Sequence, residues 1–354
     1  MPGIAPAPVA AKPGRVYVVL LNWNGWRDTI ECLESVLRLE GQECVAVVCD
    51  NASGDGSLAK IEAWSRGELV AAVTPFLPQP PVAKPIPSLR HSRSEAEAGP
   101  VQSAPLVLID TGANLGFAGG CNVGIRYALT RPDCSHVWLL NNDTVVPPEA
   151  LRAMVALCDA NPGVGICGSQ VRYYDKPEMV QTFGGLLNPW FCTTHSIACG
   201  AAASTVTAAP TRLDYVPGAS MLVTRDFLQQ VGLMSERYFL YFEEVDWAER
   251  GKGKFELAVA LASVVYHRGA ASIGSPSELG ERGVRSEYFL LRGRVLFARK
   301  FYRRHLLVVY LSLLGSVYKR LRRGQWLRAR VALSALMGWR PAMLNLPTLP
   351  AAGA

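Results

Sequence analysis

A chain of 354 residues that is 49% hydrophobic and 18% charged is too apolar for a disordered tail. It is long enough for one large α/β domain, with or without an appendage. Its nine cysteines are odd in number and form no C-x-x-C pair, a pattern that suits a reducing compartment better than a disulfide framework. The formal net charge of +7 is uneven: residues 282–330 hold 14 Lys/Arg against one acid, Glu287, so this segment carries +13 and the remainder −6. Such a segment suits an anionic membrane surface, nucleic acid or an acidic substrate.

In chain order, residues 1–14 are rich in Pro and Ala, lack the charged start and apolar core of a signal peptide, and read as a flexible tail. Arg15–Leu21 is a short β-branched run that breaks at Asn22-Trp23-Asn24-Gly25, as a buried strand entering a turn does. Ile30, Leu33, Val36 and Leu37 then show helical spacing, and Cys44–Cys49 is a second buried strand, which together make a βαβ unit and predict a parallel sheet. The Pro-rich stretch 75–105 reads as a long surface insertion. Order returns with a strand at Leu106–Asp110, a helix over Asn122–Leu129, a strand at Val137–Leu140, a helix opened by Pro147-Pro148-Glu149 and a strand at Gly163–Val171. The Gly/Ala/Thr-rich stretch 179–212 gives no assignable pattern; beyond it come a strand-like VPGASMLV and the helix Asp226–Val231. The expected organisation is one large α/β domain over 15–280, a helical basic membrane-proximal segment over 281–340 and a tail over 341–354. The apolar run Leu306–Tyr318 has 13 residues, short of the ~20 a spanning helix needs, so an interfacial helix or a buried core helix fits it.

Polar residues recur where buried strands end: Asn22 and Asn24, then Asp50-Asn51, then Asn141-Asn142-Asp143. In open α/β sheets that edge is where ligands bind. Asp50 and the Gly-rich turn after it can accept hydrogen bonds from a nucleobase or ribose. N-W-N-G-W stands where a dinucleotide fold would have G-x-G-x-x-G, which argues against a Rossmann dehydrogenase. The glycines of Asn114–Gly124 can bring backbone N–H groups close to an anion at a helix start. Asp143 is a candidate ligand for a divalent cation on a diphosphate, and His267, ending another apolar run, a candidate nitrogen ligand. Glu243, Glu244 and Asp246 cluster among Tyr238, Phe239, Tyr241, Phe242 and Trp247, surroundings that raise a carboxyl pKa towards a range useful for a base. On a helix Glu243 and Asp246 share a face and Glu244 points away.

In this order the segments VVLLNWNGWRDTIECLESVL, VVCDNASGDGS, NLGFAGGCNVGIRYAL, VWLLNNDTVVPPEAL, VPGASMLV, YFLYFEEVDWAER and VYHRGAAS resemble glycosyltransferase family 2, and within it the bacterial rhamnosyltransferase-like members. The resemblance covers most of residues 15–275. It implies the GT-A fold, a nucleotide-sugar-binding α/β sheet flanked by helices, with inversion at the sugar carbon. Donor contacts are implied for Asn22, Asp50, Asn51, Asn114, Gly116, Asn141 and Asn142, and a Mg²⁺ or Mn²⁺ ion at Asp143 with His267. Glu244 is implied as the base, with Glu243 and Asp246 beside it for acceptor hydroxyls. Asn141 stands where the family's D-x-D motif has its first acid, and Glu244 where Asp is more usual.

The resemblance implies transfer of a sugar, rhamnose first, from a dTDP-, UDP- or GDP-linked donor to a lipid-linked or saccharide acceptor in cell-surface polysaccharide synthesis. The basic segment, outside the resemblance, suggests a peripheral position at the cytoplasmic face of the plasma membrane, with Arg292, Arg294, Arg299, Lys300, Arg303 and Arg304 facing anionic headgroups or a lipid diphosphate. A homo-oligomer is left open. Nucleic acid is not an expected partner, because a basic tail alone leaves the acidic edge motifs unexplained. A catalytically inactive sugar- or lipid-binding module of the same fold is the alternative.

Overall fold

The computed structural model describes residues 14–71, 74, 76, 80–99, 102–269, 283–341 and 344. Its first strand, β1 (Arg15–Asn22), is buried on both faces: Val16, Val18 and Leu20 enter one core layer, Tyr17 and Val19 the other, as the two-residue period of a strand requires. Helix α1 (Trp26–Val36) returns over the first face, burying Ile30, Leu33 and Val36. Full burial of a side chain the size of Leu33 contributes about 2 kcal/mol. β2 (Cys44–Asp50) then pairs parallel with β1, and α2 (Ser57–Arg66) follows.

Next come β3 (Ser88–Ser92), the short α3 (Arg93–Glu97), β4 (Leu106–Asp110), α4 (Gly116–Leu129) and β5 (Cys134–Asn141). The order β3-β4-β2-β1-β5 makes a parallel half-sheet. Two expectations are corrected here. The stretch 75–105 supplies an edge strand and a helix rather than only a surface insertion. The buried carboxylate of Glu34 holds its approach, accepting from the Val82 backbone N–H at 2.8 Å and Lys84 Nζ at 3.0 Å. Ser92 and Glu95 then form a reciprocal capping box on α3, a local start signal that the prolines overshadowed. Helix α4 also begins at Gly116, six residues before the predicted start.

The second half of the sheet holds β6 (Thr144–Val145), β7 (Val164–Tyr173) after α5 (Ala150–Ala160), and β8 (Val180–Thr182). β9 (Gly185–Asn188) and β10 (Thr193–Ser196) make a separate hairpin inside the unassigned 179–212 stretch. β11 (Ser220–Thr224) runs antiparallel between β5 and β7, and α6 (Arg225–Val231), α7 (Glu243–Gly251) and β12 (Glu256–His267) follow. The path continues β5-β11-β7-β12-β6.

Three helices complete the described chain: α8 (Val284–Phe301), α9 (Leu306–Arg322) and α10 (Trp326–Met337). They do not stand apart. Tyr288, Leu291, Val295, Phe297, Val309 and Val331 share one core with Phe242 and Val245 at the start of α7. Among the described residues no helix is long and apolar enough to cross a membrane. The expectation that the α8 cations face headgroups is corrected for two of them. Arg294 is buried, donating to Phe191 O and Ser312 Oγ, and Lys300 is bonded to the buried Asp246 at 2.7 Å. The expected tails at 1–14 and 341–354 lie outside the described residues, save Gly14, Pro341 and Leu344.

Candidate active site

Pairing in register brings the polar strand ends to one edge: Asn22 lies opposite Asp50, Asp50 opposite Asp110, and Leu21 opposite Asn141. Asn22 and Asp50 are both buried. Burying a carboxylate is costly unless it is hydrogen-bonded, and Asp50 has three donors. It accepts from Asn22 Nδ2 at 2.5 Å, from Ser53 Oγ at 2.7 Å and from the Ser53 backbone N–H at 2.9 Å. Asn22 Oδ1 accepts in turn from Thr29 Oγ1 at 2.8 Å, and Asn142 Nδ2 donates to Thr29 Oγ1 at 2.9 Å. Asn22, Asp50 and Asn142 therefore belong to one network.

Asn51 pins the glycine-rich loop from beneath. Its Nδ2 donates to Gly116 O at 2.9 Å and lies 3.4 Å from Asn114 Oδ1. Gly116 has φ +74°, and a Cβ there would lie 2.4 Å from Phe239 O, so the turn into α4 tolerates no side chain. The next residue, Phe117, donates its N–H to that same carbonyl at 2.8 Å. The loop is thus docked on the segment that leads into α7.

Backbone pairing also sets the metal candidates together. β6 runs antiparallel to β12 with Thr144 opposite His267, and the Arg268 N–H donates to Asp143 O at 3.1 Å. His267 Nε2 then lies 3.1 Å from Asp143 Oδ1 and 3.2 Å from Asn141 Nδ2. Burial pushes the Asp143 carboxyl up, but His267, a backbone N–H and Arg268 together outweigh it and hold the group below its ordinary value. On the far side of the ring, Nδ1 meets Gln181 Oε1 at 2.6 Å. Because a carbonyl oxygen only accepts, Nδ1 carries a proton there, and Nε2, when it carries none, turns its lone pair towards Asp143. Two acceptors facing each other at 3.1 Å call for a proton or a cation between them. A carboxylate and an imidazole whose other nitrogen donates to a carbonyl fit a divalent ion whose remaining positions are left to phosphate and water. Among the described residues no group of three or more His, Cys, Asp or Glu side chains gathers for a metal.

The acidic cluster divides. Tyr241 and Phe242 both have positive φ, 68° and 76°, a conformation that costs bulky residues energy and that packing must hold in place. α7 starts directly after them. Glu243 is buried, and burial together with the charge of Glu244 pushes its carboxyl well above the usual range. Glu244 turns into a cleft of about 230 Å³ lined also by Ser196, Tyr215, Pro217, Gly218, Tyr241 and Leu290. Burial pushes its carboxyl up to about 7, and its Oε2 is screened from solvent without a hydrogen-bond partner. Asp246 takes another course. Its fully buried carboxylate bonds Tyr238 OH at 3.1 Å, Arg250 Nε at 2.8 Å and Lys300 Nζ at 2.7 Å. It is spent on holding α7 to α8 and offers no free oxygen to an acceptor hydroxyl, a correction to the role the resemblance implied.

The Pro217–Ala219 turn joins the two halves of the site: Pro217 and Gly218 line the Glu244 cleft, while Ala219 O accepts from the Asn141 N–H at 3.1 Å. Sequence reasoning passed over Thr29, Ser53 and Gln181. Ser53, three residues after Asp50, carries a readable turn signal. Gln181 lies 86 residues before His267 and carries none.

A mostly parallel sheet with a buried Asn–Asp edge, a glycine loop and a carboxylate–imidazole pair at its strand ends is the GT-A glycosyltransferase fold. The crystal structure of GalNAc-T7 with UDP, GalNAc and Mn²⁺ superposes with a TM-score of 0.55 at 12% identity, covering 85% of this chain and 50% of that one. Residues 91–182 match the family described as Glycosyl transferase family 2. The low-salt glycan biosynthesis hexosyltransferase Agl10 of Haloferax volcanii is 26% identical over 153 residues, 41% of this chain and 45% of that protein. The N-acetylglucosaminyl-diphospho-decaprenol L-rhamnosyltransferase of Mycobacterium tuberculosis is 26% identical over 222 residues, 55% of this chain and 69% of its own length. The chain thus spans less than half of the first relative.

Proposed function

We propose that this protein is an inverting glycosyltransferase that moves a sugar from a nucleotide-linked donor to an acceptor hydroxyl. One observation carries the reading: Glu244, a carboxyl raised to about 7, lines a cleft that adjoins the strand-end edge and keeps one oxygen without a hydrogen-bond partner. A group titrating near neutrality is suited to take a proton from a hydroxyl at that pH. Its buried neighbours give it no structural hydrogen bond to make at that oxygen, in contrast to Asp246.

In this mechanism Asn22, Asp50 and Asn51 hold the nucleoside, with Asn114 and Gly116 beside the sugar diphosphate and Asn141 and Asn142 at its edge. Asp143 and His267 would hold Mg²⁺ or Mn²⁺, which when bound neutralises charge on the leaving nucleoside diphosphate. Gln181 fixes the imidazole for that task. Glu244 removes the acceptor proton as the hydroxyl attacks from the face opposite the leaving group, so one displacement inverts the sugar carbon. Burial and the charge of Glu244 push the Glu243 carboxyl well above the usual range, which suits Glu244 as the member of the pair that ionises first.

dTDP-rhamnose is the first donor to try and a lipid-linked saccharide the first acceptor; the rhamnosyltransferase among the relatives, named for a diphospho-decaprenol acceptor, supports the sugar and the acceptor. The test is a screen of dTDP-, UDP- and GDP-sugars with Mg²⁺, Mn²⁺ or chelator, following thermal stability and nucleoside diphosphate release. Metal-dependent stabilisation by one donor and release of its diphosphate are expected. Stabilisation without turnover across all acceptors would favour the inactive binding module instead.

A further inference from the structure

The exposed large apolar side chains gather on the last two helices. Along α9, Leu307, Leu311, Leu314, Tyr318 and Leu321 are all exposed, Leu307 to 70%. Their 4-3-4-3 spacing makes one stripe about 21 Å long, on a helix whose buried residues are Val309 and Leu313. Trp326, exposed to 70%, opens α10, where Leu327, Leu333 and Met337 are exposed as well. Contiguous apolar surface of this kind marks an interaction face.

Its electrostatics choose the occupant. Arg303, Arg304, Lys319, Arg322, Arg323 and Arg330 are exposed around the stripe. From residue 284 to the end of the sequence Glu287 is the one acid, and it is buried between Arg320 and Arg328. Neither α9 nor α10 carries a carboxylate to complement a second copy, so a two-fold contact of these helices would press cation against cation. We infer that α9 and α10 form a membrane-docking surface, with the apolar stripe entering the interfacial region of an anionic bilayer and the arginines meeting its headgroups. α8, which shares their core, sends Leu290 into the Glu244 cleft. If glycosyl transfer is the function, this docking holds the cleft close to a lipid-borne acceptor.

The test uses the full chain with vesicles of phosphatidylcholine alone or with 30 mol%, roughly, of phosphatidylglycerol, in low and high salt, without donor or acceptor. Its outcome is therefore independent of the transferase reading. Sedimentation with the anionic vesicles is expected, weakened by salt. L311E/L314E should lower binding by about tenfold or more, and R322Q/R323Q by about fivefold per residue at low salt, both with unchanged circular dichroism and donor binding. Failure of the wild-type chain to bind anionic vesicles would overturn the inference. So would full binding by L311E/L314E, or a salt-resistant dimer in sedimentation equilibrium that L311E/L314E dissociates.

Discussion

Replacing Glu244 by Gln should cost activity and add stability, and the two effects separate a proton acceptor from a structural carboxylate. Burial raises the Glu244 carboxyl from 4.5 to about 7 in the folded protein, so as pH rises the unfolded chain ionises first. The stability this group contributes is complete below about pH 4.5, declines as pH rises, and is lost above the folded-state value. Holding it ionised at pH 8 costs the fold about 3 kcal/mol at most. Glu244→Gln, neutral at every pH, should therefore be more stable than the native chain by up to about 3 kcal/mol at pH 8 and indistinguishable from it at pH 4. Chemical denaturation followed by circular dichroism at both values measures this. In the same preparation turnover should fall about 10²- to 10⁴-fold, and the native rate should rise with pH through about 7. A variant that loses stability at pH 8 would refute the reasoning, because it would mean that the carboxylate pays its way through contacts. Retention of full turnover would refute the proton-acceptor role.

Asp143→Ala should weaken metal-dependent donor binding by at least about tenfold, and Gln181→Ala should lower metal affinity by about 10- to 100-fold; titration calorimetry with Mn²⁺ and nucleoside diphosphate checks both. Asp246→Asn leaves Lys300 and Arg250 beside a neutral buried amide and should destabilise the protein by about 3 kcal/mol, read from denaturant unfolding. Gly116→Ala places a Cβ against Phe239 O in a left-handed turn and should cost roughly 1–3 kcal/mol, with donor affinity falling in the same thermal-shift assay.

The strand ends were legible because a buried run followed by Asn or Asp has few physical explanations: Asn22, Asp50 and Asn141 do end buried strands, and pairing sets those strands side by side. What escaped was whatever depends on contacts distant in sequence. Asp246 and Glu244 look alike in the chain, two acids among aromatics, and Lys300, 54 residues on, decides that one of them is tied down. The Pro-rich stretch misled for a related reason. Proline density describes how a segment begins and turns, while Glu34, on a helix some 50 residues earlier, anchors this one against the sheet. Gln181 has its meaning through His267 alone.

The packing of α8 against the start of α7 bears on how the protein can be taken apart. A Cβ at Gly293 would lie 3.0 Å from Phe242 Cδ2 and 3.1 Å from Tyr241 O, so α8 presses its backbone against the two left-handed residues that precede Glu244. The boundary near residue 280 is a boundary of composition and not of folding. A shortened chain that ends there would forfeit the buttress behind its own base, and loss of activity in it would say nothing about lipid. Point changes on the outward side of α9 are the cleaner cut, since they leave that buttress standing.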